Sequence, residues 1–273
     1  MIVSPRAVVA PTRPLQSRVA VVTGASRGIG AATALALAAA GAHVVLAARG
    51  QDDLTAVADQ ISQSTAEAAL VVPTDVTDPE AMEALMLRTV ESFGRLDMLV
   101  NNAAGRHHPP TPLAEVTVED FDAAIAGGLR SVFLGMKYAV PAMLAGQGGA
   151  IVNIGSTAGL HAGAGLAGYV TAKHALIGLT RVAALDYAEH GIRVNALAPG
   201  PIRTRDLEQA GQQVQQLAAQ AMPMRRIGTV EEVAAAVLWL CSDAASFITG
   251  AVLPVDGGKL AGTAPFAARP SQR

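Results

Sequence analysis

The strongest constraint on this chain is a recurrence of short apolar runs separated by longer helical patterns. Runs of strand length fall at 18–22, 42–47, 69–72, 96–100, 150–154, 192–196 and 251–255. They are rich in Val, Ile and Leu with little polar alternation, as strands covered on both faces are. Between them, 30–40 is an alanine/leucine pattern that stops at Gly41, a residue suited to a helix C-terminus. Asp78-Pro79 opens another helix, with Asp at the N-cap and Pro at the first helical position. Thr117-Val118-Glu119-Asp120 opens a third. This alternation predicts an α/β fold: one parallel sheet of about seven strands with helices on both faces. Right-handed crossovers make it a doubly wound, Rossmann-type sheet. An eight-stranded α/β barrel would need one more strand. No repeat or linker divides the core. The expected organisation is one domain over 18–262, a disordered N-terminal extension over 1–17 (a transit peptide is the other reading) and a C-terminal tail over 263–273.

Composition removes several function classes. Twenty basic and 22 acidic residues leave a net charge of −2, with no cationic excess for nucleic acid. The single cysteine, Cys241, excludes an internal disulfide framework and a cysteine-built zinc site. No run reaches the roughly 18 apolar residues of a membrane span. A compact cytoplasmic protein without nucleic-acid or membrane partners is expected.

The first strand runs straight into Thr23-Gly24-Ala25-Ser26-Arg27-Gly28-Ile29-Gly30, and a helix follows. Glycines there allow a tight turn, close approach of backbone N–H groups to a pyrophosphate, and close helix–strand packing. The positive end of the helix dipole then faces the phosphate. Further on, Tyr169 and Lys173 stand four residues apart, on one face of a helix, in a chain with only three tyrosines. Ser156 precedes Tyr169 just beyond the fifth strand.

The spacing T-G-x-x-x-G-x-G, the pair Tyr169/Lys173 and the position of Ser156 resemble the short-chain dehydrogenase/reductase family, over roughly residues 17 to 262. The resemblance implies hydride transfer between a nicotinamide cofactor and a small-molecule carbonyl or secondary alcohol. It makes Ser156, Tyr169 and Lys173 the catalytic residues: Tyr169 the acid/base, Ser156 the donor that orients the substrate oxygen, Lys173 the cation that favours the phenolate and holds the nicotinamide ribose. It assigns Gly24, Ser26, Arg27, Gly28, Ile29 and Gly30 to the cofactor phosphates. It gives Asp75 and Val76 to the adenine, and Asn102 and Ala103 to the strand-four motif, which here reads Asn101-Asn102-Ala103-Ala104-Gly105 with one extra alanine. Pro199, Gly200, Ile202 and Thr204 line the carboxamide side of the nicotinamide. A homotetramer or homodimer is implied, and no metal.

Cofactor choice follows from charge. By the same resemblance, the acidic residue that accepts from the NAD ribose would fall at Ala48, which has no acceptor. Arg49 follows it and Arg27 lies in the glycine turn. Two guanidinium groups without a carboxylate suit the 2′-phosphate of NADP(H) rather than NAD(H).

The pattern departs from the family at Gly128, which stands where an Asn usually shapes the helix and supports a water beside the lysine. With the extra alanine, this leaves two alternatives: an enoyl-type reductase, or a catalytically silent nucleotide-binding member. Around the expected pocket, Arg106-His107-His108 reads as a substrate-facing or solvated loop, and His161 as substrate-facing or a plain loop residue. The Gln-rich segment 206–224 reads as a mobile lid whose tip, Met222 and Met224, is adaptable or simply core.

Overall fold

The computed structural model describes residues 13–105 and 109–262. The strands are β1 (Val19–Thr23), β2 (His43–Ala48), β3 (Ala69–Pro73), β4 (Met98–Asn101), β5 (Gly149–Ile154), β6 (Ile192–Pro199) and β7 (Val252–Val255). They form one seven-stranded sheet in the order β3-β2-β1-β4-β5-β6-β7, parallel throughout. The fold is therefore the doubly wound one. The chain reverses direction across the sheet between β1 and β4, which opens a crevice at their C-terminal ends.

Because strand residues alternate sides, β1 feeds two cores. Ala20 and Val22 join a layer with Leu37, Leu54, Ile61, Val233 and Val237. Val19 and Val21 join the opposite layer with Met82, Leu85, Leu99, Met143 and Leu176. The first layer is carried by α1 (Gly28–Ala39), α2 (Gln51–Ser64) and α9 (Val230–Cys241); the second by α3 (Pro79–Phe93), α5 (Ser131–Ala145) and α6 (Ala167–Tyr187). The expected caps form: Asp78 accepts from Glu80 N, and Thr117 accepts from Asp120 N at the start of α4 (Val118–Ile125).

Residues 1–12 of the expected disordered extension, and the tail at 263–273, lie outside the described residues. The rest of that extension packs. Leu15 is 1% exposed and joins the first core layer. Leu15 N donates to Ala40 O and Ser17 N to Gly41 O, and Arg13 pairs with the buried Glu67 at 2.8 Å. The prolines and the lack of alternation disguised a short strap whose partners lie far along the chain.

The segment read as a lid forms two short helices, α7 (Arg205–Gln209) and α8 (Gln212–Ala221). Of its two methionines, Met222 is core at 2% exposure and Met224 is exposed.

Candidate active site

The glycine turn is shaped by backbone. Gly24 has φ +64°, which glycine adopts at no steric cost. A Cβ on Gly30 would collide with Gly24 O and the Asn102 amide, so only glycine lets α1 start this close to the turn. Arg27 occupies the N-cap of α1 in extended conformation, and Thr204 Cγ2 stands 3.7 Å from where a Cβ on Gly28 would be. The loop after β6 thus closes one side of the turn. Ile202, buried, bridges to Gly228, while Pro199 ends β6 beside Val255 of β7 and Gly200 N, just after it, donates to Val255 O.

The opposite wall is fixed by Thr23, which sequence reasoning quoted in the motif but gave no role. Its Oγ1 accepts from Asn102 N at 3.0 Å and Ala103 N at 3.1 Å. Asn102 Nδ2 returns bonds to Thr23 O and Gly24 O at 3.0 and 3.1 Å. Asn102 therefore acts by locking the end of β4 to the glycine turn. Its neighbour Asn101 is buried and donates to Asn153 Oδ1 at 2.9 Å; Asn153 donates to Thr180 Oγ1 at 3.0 Å. This polar chain ties β4 and β5 to α6, the helix that carries Tyr169 and Lys173.

At the far end of β2, Ala48 is half-buried and Arg49 exposed. Asp75, exposed after β3, takes the backbone and side-chain hydrogen bonds of Thr77 at 2.9 and 2.7 Å. Those bonds, with a smaller contribution from the Arg49 charge, hold its carboxyl below the usual range. Val76 is half-buried against the second core layer.

Ser156 begins the turn after β5 and accepts from Ala158 N at 3.1 Å. It also hydrogen-bonds Tyr169. Lys173 lies one turn along α6, buried, with Nζ 5.9 Å from the Tyr169 ring centroid and donating to Ile154 O at 2.9 Å. The three residues are thus brought together where β5 ends and α6 begins. Burial pushes the Lys173 ammonium down to about 8. The phenol behaves differently from expectation: burial raises Tyr169, opposed by its bond with Ser156. Burial is the larger of the two causes, because taking the phenol out of water disfavours the phenolate.

Gly128 lies in a π-helical stretch, Ala126–Arg130, between α4 and α5. Such a widened turn is a common feature of functional sites. It is buried, and a Cβ there would meet Ala172 Cβ at 3.1 Å. The adjoining Gly127 approaches the backbone of Gly105 so closely that neither position admits a side chain. The longer Asn101–Gly105 motif is therefore accommodated by a glycine on each side. His161 bonds Ala162 O at 2.9 Å through Nδ1, and its Nε2 is shielded with no partner among the described residues. The Arg106–His108 loop lies outside the described residues.

The cradle at Gly24–Gly30, closed by Asn102 and Thr204 and with no side chain at its three glycines, fits a dinucleotide. A family model described as enoyl-(acyl carrier protein) reductase matches residues 24–259. A short chain dehydrogenase/reductase, astE, from Aspergillus oryzae is 41% identical, covering 89% of this chain and 95% of that protein. The cis-4-hydroxycyclohexanecarboxylate dehydrogenase of Sinomonas cyclohexanicum is 45% identical, over 88% of this chain and 96% of its own length. The crystal structure of a levodione reductase superposes with a TM-score of 0.86 at 35% identity, covering 91% of this chain and 99% of that one. The chain belongs to the short-chain dehydrogenase/reductase family. It is an oxidoreductase acting between CH–OH and C=O groups with a nicotinamide cofactor. No helix among the described residues is long and apolar enough to cross a membrane.

Proposed function

We propose an NADP(H)-dependent alcohol dehydrogenase/carbonyl reductase in which Tyr169 is the acid/base. The observation that carries this is the cluster of Ser156, Tyr169 and Lys173 where β5 ends and α6 begins. The nicotinamide supplies or accepts the hydride when bound. Ser156 holds the substrate oxygen, and Tyr169 gives that oxygen its proton in reduction and takes it back in oxidation. With its phenol raised by burial, Tyr169 is protonated at neutral pH and so is set for the reductive direction. Lys173, cationic at neutral pH and fixed by Ile154 O, stabilises the phenolate that reduction leaves behind. The names of the relatives, cis-4-hydroxycyclohexanecarboxylate dehydrogenase and levodione reductase among them, support a cyclic alcohol or ketone as substrate.

NADP(H) is favoured because Arg27 stands in the glycine turn at the N-cap of α1, Arg49 is exposed just after β2, and Ala48 offers no carboxylate. An apolar groove lined by Ile125, Leu129, Phe133, Leu179 and Val182 on α4–α6 supports a homodimeric or homotetrameric assembly. The test of cofactor choice is a titration with NADPH and NADH. The wild type binds NADPH about one to three orders of magnitude more tightly, from charge-assisted contacts of roughly 1.5–3 kcal/mol each. The double variant Ala48→Asp/Arg49→Ala reverses the order. Equal affinity at low salt in the wild type would remove the NADP assignment. The description of the matching family model keeps enoyl reduction as a second reading, decided by offering an enoyl thioester beside cyclohexanone.

A further inference from the structure

The turns that follow β5, β6 and β7 converge at the ligand edge of the sheet. Gly200 N donates to Val255 O at 3.0 Å, and a Cβ on Gly200 would stand 2.9 Å from Asp256 Cα. The turn after β7 is closed by Asp256, whose Oδ1 accepts from Gly258 N at 2.9 Å and Oδ2 from Leu260 N at 2.8 Å. Both carboxylate oxygens are spent on backbone. Lys259, inside that turn and half-buried, forms no ion pair with them. Its ammonium makes one hydrogen bond, to Thr157 Oγ1 at 3.4 Å, and no ion pair among the described residues. Thr157 is 3% exposed and directly follows Ser156. Met222 and Pro223 pack on the same turn, beside Gly257 and Gly258.

A half-buried ammonium with three donors and one hydrogen bond of 3.4 Å has donors left for a bound anion. The glycine turn that fits cofactor phosphates lies at β1, whereas Lys259 lies at β7 beside the residue next to Ser156. One ammonium with one hydroxyl neighbour carries a single positive charge and so balances a singly charged carboxylate better than a dianionic phosphate. We propose that Lys259 receives the carboxylate of the substrate, so that the preferred class is an alcohol or ketone carrying a carboxylate remote from the reacting carbon. This rests on the alcohol–carbonyl reading of the site.

The experiment separates the two. The protein, saturated with oxidised cofactor, is titrated calorimetrically with cyclohexanecarboxylate and with neutral cyclohexanecarboxamide. The carboxylate should bind about 10- to 100-fold more tightly, with the gap narrowing at high salt. Lys259→Met should abolish the gap while leaving the amide and cofactor affinities unchanged, and Lys259→Arg should retain most of it. Absence of a gap in the wild type, or an equal loss for both probes in Lys259→Met, overturns the proposal. Turnover of cyclohexanol is measured separately. Turnover without an anion preference defeats the role of Lys259 alone; an anion preference without turnover defeats the underlying reading alone.

Discussion

The two ends of the ligand edge are built by different means. At β1 and β4 the wall is backbone and short side chains: Gly24, Gly30, Thr23 and Asn102 interlock within about 3 Å, and nothing there can change size without moving a strand. At 205–224 the wall is two short helices, and α8 has no buried residue. Its Val214 and Leu217 are exposed. A rigid backbone cradle suits a group of fixed shape. A weakly packed side-chain surface can be altered without refolding, and so is where substrate selectivity can vary.

Four substitutions sharpen this contrast. The largest effect is expected at Tyr169. Tyr169→Phe keeps the ring and removes the proton, so kcat should fall by about 10²- to 10⁴-fold while cofactor Kd stays within a few-fold. Stopped-flow turnover with a cofactor titration checks both. In the wild type, oxidation should accelerate as pH rises through the alkaline range, because the raised phenol must first lose its proton.

Next is Lys173, whose pKa is lowered by burial to about 8 from an ordinary 10.5. Between those values the unfolded chain binds more protons than the native one, so native stability rises with pH. The burial cost, roughly 3 kcal/mol at 1.36 kcal/mol per unit, is fully present below pH 8 and gone above 10.5. Denaturant melts from pH 7.5 to 10.5 should show the wild type gaining up to that amount relative to Lys173→Met, which itself loses activity. A difference independent of pH would show that Lys173 is not desolvated.

Gly30→Ala tests the cradle. Overpacking costs roughly 1–3 kcal/mol, so nucleotide binding should weaken by up to about a hundredfold and the melting temperature should drop. The smallest effect is expected on the other wall: Leu217→Ser should change stability by less than about 0.5 kcal/mol. The Michaelis constant of a cyclic alcohol should nevertheless move about two- to fivefold if α8 meets substrate. A large loss of stability there would erase the contrast between the walls.

The same division explains what the sequence revealed. All seven strands and the glycine turn were legible because strand period, apolar runs and turn chemistry are local. Asp78 and Thr117 were legible as caps because their partners lie two or three residues away. The role of Thr23 was not, since it reaches Asn102 across 79 residues. Leu15 was missed for the same reason, its core partners coming from β2 and the helices beyond. Whether Tyr169 sits up or down in pKa depends on how deeply two helices bury it, and no spacing encodes that. Gly128 read as a loss, yet the structure places it in a widened helical turn against Ala172, where its lack of a side chain is used.

The strap at Arg13–Ser17 has a practical reach. It grips the end of α1 and the start of β2, the margin of the sheet opposite the nucleotide cradle. A tag, tether or carrier protein joined directly to Arg13, in place of residues 1–12, would therefore attach at the rear of the molecule and leave the entrance for reactants clear. A shortened gene that begins at Arg18 would instead take out the hydrophobic peg that Leu15 supplies, and should yield a less heat-resistant product from an intact reaction centre.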